Sequence, residues 1–209
     1  MKNIEMKSIV VSQVMTNCIL IINKTTREAL IVDPGYEAER IEQAVIKADC
    51  KPVAILLTHG HFDHVMAVDS LRNEYHIPVY IHLDEKELLG DSILNHSAKY
   101  GIPYQTKVDK LLLDNEKLYL AGINIEVIHT PGHTSGGCCY YLPEEAVLIS
   151  GDTLFYGTVG RTDLETSSGA AMKASIKRLL SELPEDVQVF PGHGDATTIG
   201  HEKRYNPFA

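Results

Sequence analysis

The chain has 209 residues, of which 44% are hydrophobic and 22% are charged, and this supplies ample apolar material for a folded core. Its formal net charge is −9 without a basic block, which argues against nucleic acid as a partner because an acidic surface does not attract phosphate backbones. No apolar run approaches the ~20 residues that span a bilayer, and no signal-peptide core follows Met1, so we expect a cytoplasmic protein with no membrane partner.

The first half of the chain predicts alternating strands and helices. Short runs rich in β-branched residues predict strands, a continuous apolar run predicts a buried strand, and apolar residues at helical spacing predict helices. In chain order, the predicted elements are strands 8–11, 18–22 and 29–32, helix 37–48, strand 52–57, helix 65–75 and strand 79–81.

The second half predicts a three-stranded meander with turns at Asp114-Asn115 and Ala121-Gly122, followed by further strands and helices. These elements are strands 110–113, 117–120, 123–128, 138–142 and 146–150, helix 170–183, strand 187–190 and a short helix 199–204. Two β-rich halves, each with helices, predict an α+β protein in which two sheets pack together with helices outside. Because no linker-like tract interrupts the chain, we expect one domain over residues 1–209.

Candidate metal ligands follow four of the predicted strands, beside glycines that permit tight turns. The strongest signal is Thr58-His59-Gly60-His61-Phe62-Asp63-His64, in which three histidines and one aspartate lie within six residues. Imidazole and carboxylate are the groups that zinc takes as ligands. A polar loop whose aspartate caps the next helix would explain Asp63 but not the histidines. The remaining candidates are weak singly and gain weight from the same strand-end setting; they are His133, Asp152 and His193.

Other polar residues receive simpler interpretations. Asp33 follows a predicted strand and is either a turn residue or a partner that orients a ligand histidine, and both alternatives stay open. We assign His76, His82 and His96 to exposed polar segments and His129 to a structural role. The four cysteines form no C-x-x-C pair, and we interpret them as reduced thiols; Cys138 and Cys139 should face opposite sides of a strand.

The segment THGHFDH resembles the T-H-x-H-x-D-H signature of the metallo-β-lactamase superfamily. Further matches are Asp33-Pro34-Gly35, TPGHTSGG from Thr130, GDTLF around Asp152 and GHGDATT around His193. The resemblance implies an αβ/βα four-layer sandwich of two mixed sheets, with the site at one edge between them. It also implies two divalent metals, the first held by His59, His61 and His133 and the second by Asp63, His64 and His193. Asp152 would bridge them, and Asp63 and Asp152 would be the catalytic carboxylates.

Single residues separate the branches of this superfamily. The commonest zinc β-lactamases carry a cysteine at the position of Asp152 and lack a histidine at the position of His64. Flavoprotein members carry a glutamate at the position of His61, and nuclease members carry basic segments. The chain is most similar to the hydroxyacylglutathione hydrolase (glyoxalase II) group, especially its short bacterial members, through GDTLF, the pattern ending at Thr197, and Asn206-Pro207.

This resemblance implies a metal-dependent hydrolase acting on an acyl-thioester such as S-lactoylglutathione or a related hydroxyacyl thiol. Zinc is the metal we favour, with iron and manganese as alternatives. Arg161 is expected to bind an anionic thiol carrier; the alternative is an ion pair with Asp163 or Glu165.

Two other functions stay open. Residues 160–164 resemble a segment of persulfide dioxygenases, which would hold one iron through His59, His133 and Asp152. The third alternative is a non-catalytic metal-binding protein on the same fold.

Overall fold

The computed structural model describes residues 1–209. Its first sheet has six strands in the order β1 to β6, with antiparallel pairing from β1 to β3 and parallel pairing from β3 to β6. These strands are β1 Ile4–Val11, β2 Thr16–Asn23, β3 Glu28–Val32, β4 Lys51–Leu56, β5 Val79–His82 and β6 Lys110–Leu112.

The second sheet also has six strands, and one of its pairs, β10 with β13, is parallel. In the spatial order β7, β8, β9, β10, β13, β14, these are Lys117–Leu120, Ile123–His129, Cys138–Leu142, Val147–Gly151, Gln188–Pro191 and Thr197–Thr198. A small separate hairpin pairs β11, Leu154–Phe155, with β12, Thr158–Val159. Both large sheets are therefore mixed, as the resemblance to the metallo-β-lactamase superfamily implies.

Helices cover the outer face of each sheet. They are α1 Ala38–Ala48, α2 Phe62–Val65, α3 Val68–Tyr75, α4 Lys86–Leu89, α5 Gly169–Glu182 and α6 Ile199–Tyr205. Alternation along the strands builds three apolar layers: in β2, Leu20 packs toward α1 and α3, whereas Ile21 packs toward the second sheet. Each such fully buried side chain contributes about 1.5–3 kcal/mol of burial free energy. This arrangement confirms the α+β sandwich. None of the helices combines the length and apolar character needed to cross a bilayer.

The adjacent cysteines of β9 show the same alternation. Cys138 belongs to the core between the sheets, and Cys139 belongs to the core under α5. All four cysteines are free thiols. The prediction that these two side chains face opposite sides of a strand is confirmed.

Two predicted elements are wrong in detail. The run 110–113 was expected to pair with 117–120, but β6 instead pairs with β5 in the first sheet, so Asp114-Asn115 carries the chain between sheets. The predicted helix 65–75 is divided between α2 and α3. The break occurs because the amides of Met66 and Ala67 donate to the carbonyls of Gly35 and Pro34, at 3.1 and 2.9 Å.

Candidate metal centre

The candidate ligands meet at one edge of the sandwich because four strands end there. Strand β4 ends just before His59, β8 before the loop to His133, β10 before Asp152 and β13 before His193. Strands β8, β10 and β13 run in the same direction within the second sheet, so their carboxyl ends share an edge. Candidate ligands that follow separate strands in the sequence therefore lie close together in the structure.

The first candidate set contains His59, His61 and His133. Each offers a ring nitrogen, and these three atoms lie within 4.8 Å of one another. The Nδ1 atom of His61 lies 2.9 Å from Nε2 of His133. The Nε2 atoms of His59 and His61 are buried and have no hydrogen-bond partner in the protein. Buried polar atoms without a partner are costly, so Nε2 of His59 fits the ligand shell of a cation, whereas the His61 atom that lies beside Nε2 of His133 is Nδ1.

The second candidate set contains Asp63, His64 and His193. Oδ2 of Asp63 lies 3.4 Å from Nε2 of His64 and 3.2 Å from Nε2 of His193. The two imidazole Nε2 atoms are 3.4 Å apart. One carboxylate and two imidazoles at these separations suit a divalent metal.

Asp152 faces both sets. Its Oδ2 lies 3.5 Å from Nε2 of His133 in the first set and 3.6 Å from Nε2 of His193 in the second. Its Oδ1 lies 3.5 Å from Nε2 of His64 and has no hydrogen-bond partner. A carboxylate in this position fits a bridge between two metals. The glycine at 192 makes room for it, because a Cβ there would stand 2.2 Å from Asp152 Oδ1.

Asp33 orients two of the candidate ligands from behind. It is buried, accepts from the amide and hydroxyl of Thr58 at 2.8 and 2.6 Å, and lies 3.0 Å from Nδ1 of His64. Because the Thr58 hydroxyl donates to Asp33, Nδ1 of His59, 3.1 Å away, donates to Thr58. Asp33 also has a positive φ of 49°, and of the two alternatives left open by the sequence the contacts show the orienting partner. Both histidines then present Nε2 to the site.

Backbone carbonyls orient His133 and His193. Nδ1 of His133 donates to the carbonyl of Arg161 at 2.9 Å, and Nδ1 of His193 donates to the carbonyl of Val14 at 3.1 Å. Fixing the hydrogen on Nδ1 leaves Nε2 as the metal-facing atom in each ring.

The two sets differ in electrostatics. Burial lowers the pKa of His59 and His61 well below its ordinary value, and neighbouring imidazoles add to this effect. Burial acts in the same direction on His64, but the carboxylates of Asp63, Asp152 and Asp33 outweigh it and raise the pKa of His64 well above its ordinary value. Partial burial raises the pKa of Asp63, yet His64 and His193 outweigh this and hold its pKa well below the usual range. Carboxylates that favour a proton on His64 also favour a metal cation there.

Three polar residues near the site were missed or misassigned by the sequence analysis. His96 was placed in an exposed segment, but it is buried and its ring centre lies 5.1 Å from that of His61. His82 is buried as well, stacked on His129. Glu85 was not singled out, although it is fully buried and accepts from the amide of Gly60. Glu85 lies in a locally polar segment, so the sequence carried no signal of its burial.

A cavity of about 560 Å³ opens over the two sets. Its apolar lining comprises Val14, Phe62, Tyr100, Phe155 and Leu164, and its basic residues are Lys99 and Arg161. Lys99 is paired with Glu165 at 2.8 Å, and Arg161 is paired through two bonds with Asp163 at 2.7 and 2.8 Å. Arg161 therefore lines the cavity and also makes the alternative ion pair with Asp163.

The fold defines the class of the metal-dependent hydrolases, and the His/Asp clusters at the edge of the sandwich fit a divalent metal site. The chain belongs to the metallo-β-lactamase superfamily, whose family model matches residues 11–193. Among curated relatives, it is 41% identical to the probable metallo-hydrolase YqgX of Bacillus subtilis, over 87% of both chains. It is 37% identical to the hydroxyacylglutathione hydrolase GloC of Haemophilus influenzae, over 99% of this chain and 97% of that protein.

Solved structures extend this likeness. The structure of the B3 metallo-β-lactamase BLEG-1 superimposes with a TM-score of 0.93 at 42% identity, covering 98% of this chain and 99% of that one. The di-iron-bound structure of TTHA1623 has a TM-score of 0.88 at 36% identity, covering 97% of this chain and 100% of that one. ETHE1 from Myxococcus xanthus has a TM-score of 0.81 at 26% identity, covering 97% of this chain and 83% of that one.

Proposed function

We propose that this protein is a binuclear metal-dependent thioester hydrolase that acts on a small acyl-thiol such as S-lactoylglutathione, with zinc as its metal. The observation that carries the proposal is the convergence of two ligand sets around the single carboxylate of Asp152 on the floor of an open cavity. The mononuclear dioxygenase alternative would use only His59, His133 and Asp152. It would leave the equally close set of Asp63, His64 and His193 without a role.

Two divalent cations held by these sets would polarise a carbonyl oxygen and lower the pKa of a bound water toward neutrality. The protein's own groups would orient the ligands through Asp33, Thr58 and two backbone carbonyls. Asp63 and Asp152 are the only carboxylates that line the cavity, and they would accept the proton of the attacking water.

Thioester cleavage suits this inventory of groups. A thiol has a pKa of ~8.5, so a thiolate leaves without a strong general acid. Amide cleavage would require a proton donor for nitrogen, and the cavity's cationic side chains, Lys99 and Arg161, are already paired with carboxylates. The apolar part of the wall would contact the acyl group and the thiol stem. The similarity to GloC, named a hydroxyacylglutathione hydrolase, supports this substrate class.

A second candidate is β-lactam hydrolysis. Asp152 and His64 distinguish this chain from the commonest zinc β-lactamases. However, a protein described as a B3 metallo-β-lactamase is 42% identical over almost the whole chain. This degree of similarity makes β-lactam hydrolysis an outcome that the test must include.

The experiment compares substrates on protein loaded separately with zinc, iron and manganese. Metal content per chain is measured first, and we expect it to approach two. Initial rates are then measured with S-lactoylglutathione, a small uncharged thioester, a chromogenic cephalosporin, and glutathione persulfide in an oxygen electrode. We expect kcat/KM for a thioester to exceed that for the cephalosporin by about a hundredfold or more.

Two outcomes would overturn the proposal. A plateau at one iron per chain, with oxygen consumed on the persulfide, would assign the dioxygenase activity. Faster turnover of the cephalosporin than of every thioester would assign the β-lactamase activity.

A further inference from the structure

Glu85 is a fully buried carboxyl that no lysine or arginine neutralises. It ends the short 3-10 turn Leu83–Glu85, which follows β5, and its residue exposure is 0%. Burial raises its pKa to about 7. A buried carboxyl is expensive unless hydrogen bonds compensate it. The hydrogen bonds that offset this cost therefore indicate the role of the carboxyl.

The partners in these hydrogen bonds are two backbone amides, and they belong to loops that follow strands of different sheets. The amide of Gly60 donates to Oε2 at 2.8 Å, and the amide of Gly136 donates to Oε1 at 2.8 Å. Gly60 lies between His59 and His61 after β4 of the first sheet, and Gly136 lies three residues after His133, in the loop between β8 and β9 of the second. One carboxyl thus ties together the two loops that carry all three histidines of the first set.

The fit around this carboxyl is close. A Cβ at position 136 would stand 2.5 Å from the backbone nitrogen of Glu85 and 2.9 Å from its Cγ. A Cβ at position 60 would stand 2.7 Å from Leu88 and 3.3 Å from Oε2 of Glu85. Glycine at both positions lets the two loops approach Glu85 closely enough for both hydrogen bonds.

The second set is held without Glu85. The hydroxyl of Thr16 donates to Oδ2 of Asp63 at 3.0 Å, Asp33 contacts Nδ1 of His64, and the Val14 carbonyl accepts from His193. Asp33 supports both sets, through Thr58 in the first and His64 in the second, but Thr16 contacts only Asp63 of the second set and so offers a matched control for Glu85.

We propose that Glu85 is a positioning residue that sets the spacing between the His59–His61 loop and the His133 loop, and thereby the affinity of the first metal. The inference rests on the two-metal site of the proposed function. Residues that support metal ligands from behind typically change metal affinity by 10–100-fold when altered. Loss of the Glu85 carboxyl should weaken the first metal by about that factor and leave the second within about twofold of wild type.

The test is a stepwise zinc titration against a chromophoric chelator, on wild type, Glu85→Gln, Glu85→Met and Thr16→Val. His61→Ala identifies the binding step that belongs to the first set. Glu85→Gln keeps one acceptor oxygen but turns an amide donor toward the other N–H, whereas Glu85→Met removes both acceptors. We expect a graded loss of zinc affinity at the step assigned to the first set, larger for Glu85→Met than for Glu85→Gln. Thr16→Val should weaken only the step assigned to the second set.

Cobalt substitution gives a second readout, because its visible spectrum reports the geometry of each site. The visible absorption band of cobalt in the first set should change in Glu85→Gln, and the band of cobalt in the second set should stay the same. Equal weakening of both steps in the Glu85 variants, or no weakening at either, would overturn the inference. If Glu85→Met fails to fold, the Gln variant decides the question by the same criteria.

The two proposals fail in distinguishable ways. Wild-type protein that binds two metals but turns over no thioester would overturn the proposed function and leave the Glu85 inference to be decided by the titration. Wild-type protein that binds metal only at Asp63, His64 and His193 would overturn both.

Discussion

The two candidate metal sets share Asp152 but differ in charge and in how they are supported. The first set is three imidazoles, with Nε2 of His59 and His61 lacking any protein partner. The second set contains a carboxylate, and its members already contact one another, with Asp63 at 3.2 and 3.4 Å from two imidazoles. In the second set, mutual attraction helps to hold the geometry. No member of the first set is a carboxylate, so its geometry depends on the loops that Glu85 ties together and on the hydrogen bonds that orient His59 and His133.

The largest effect should come from the residue common to both sets. Asp152→Ala removes the carboxylate that faces His64, His133 and His193, so both metals should bind more weakly, by about tenfold or more, and thioester turnover should fall to background. Metal content and single-turnover rates measure this. His129→Ala is the control, because His129 stacks on His82 outside both sets and should leave both metals bound. Equal metal loss in the two variants would show that the ligands around Thr130 are misassigned.

A smaller effect is expected at Arg161, beside the first set, where substrate binding can be distinguished from metal binding. Arg161 supports His133 through its backbone carbonyl, which Arg161→Ala retains, so both metals should stay bound. Removing the guanidinium should raise KM for an anionic thioester by about threefold to tenfold and leave an uncharged thioester unaffected.

Asp163→Asn is the matched variant for Arg161. It breaks the bidentate pair and frees the guanidinium, so KM for the anionic thioester should fall. An equal change on charged and uncharged substrates in either variant would remove Arg161 from the substrate contacts.

The smallest effect should come from the end of β8, beyond the first set. Arg178 donates to Asp114, and Asp114 accepts from the amide of His129. Although burial raises the pKa of Asp114, the His129 amide and Arg178 outweigh this and lower it below its ordinary value. A lowered pKa in the folded state means that the ionised carboxylate stabilises the fold.

This stability is present above the unfolded pKa of ~3.9 and is lost as the pH falls through the lower folded value. Asp114→Ala should therefore cost up to about 1 kcal/mol at pH 7, because the pair is partly exposed. Denaturant unfolding from pH 7 down to pH 2 should show the difference from wild type shrinking in acid. Zinc affinity should change by less than about twofold. A tenfold loss of zinc affinity at the step assigned to the first set would show that this set depends on the contact of Asp114 with His129, and not mainly on Glu85.

The elements that the sequence predicted well are those whose signal is local. The alternation in β2 and the helical spacing in α5 depend on neighbours a few residues apart, so they can be recognised before folding. The hairpin of β11 and β12 was missed because two-residue strands carry no periodicity. The broken helix between α2 and α3 was missed because the amides that end it bond to the Pro34-Gly35 turn, about thirty residues away in the chain.

The sequence by itself determined the chemical types of the candidate ligands and their places after strands, because histidines, aspartates and flanking glycines are visible as letters. Only the tertiary structure decided that β6 joins the first sheet, that Asp33 serves both His64 and Thr58, and that Glu85 is buried between two loops. The physical reason is the same in each case. These contacts join residues far apart in sequence, and a polar residue such as Glu85 is buried only where two distant backbone amides meet its carboxyl.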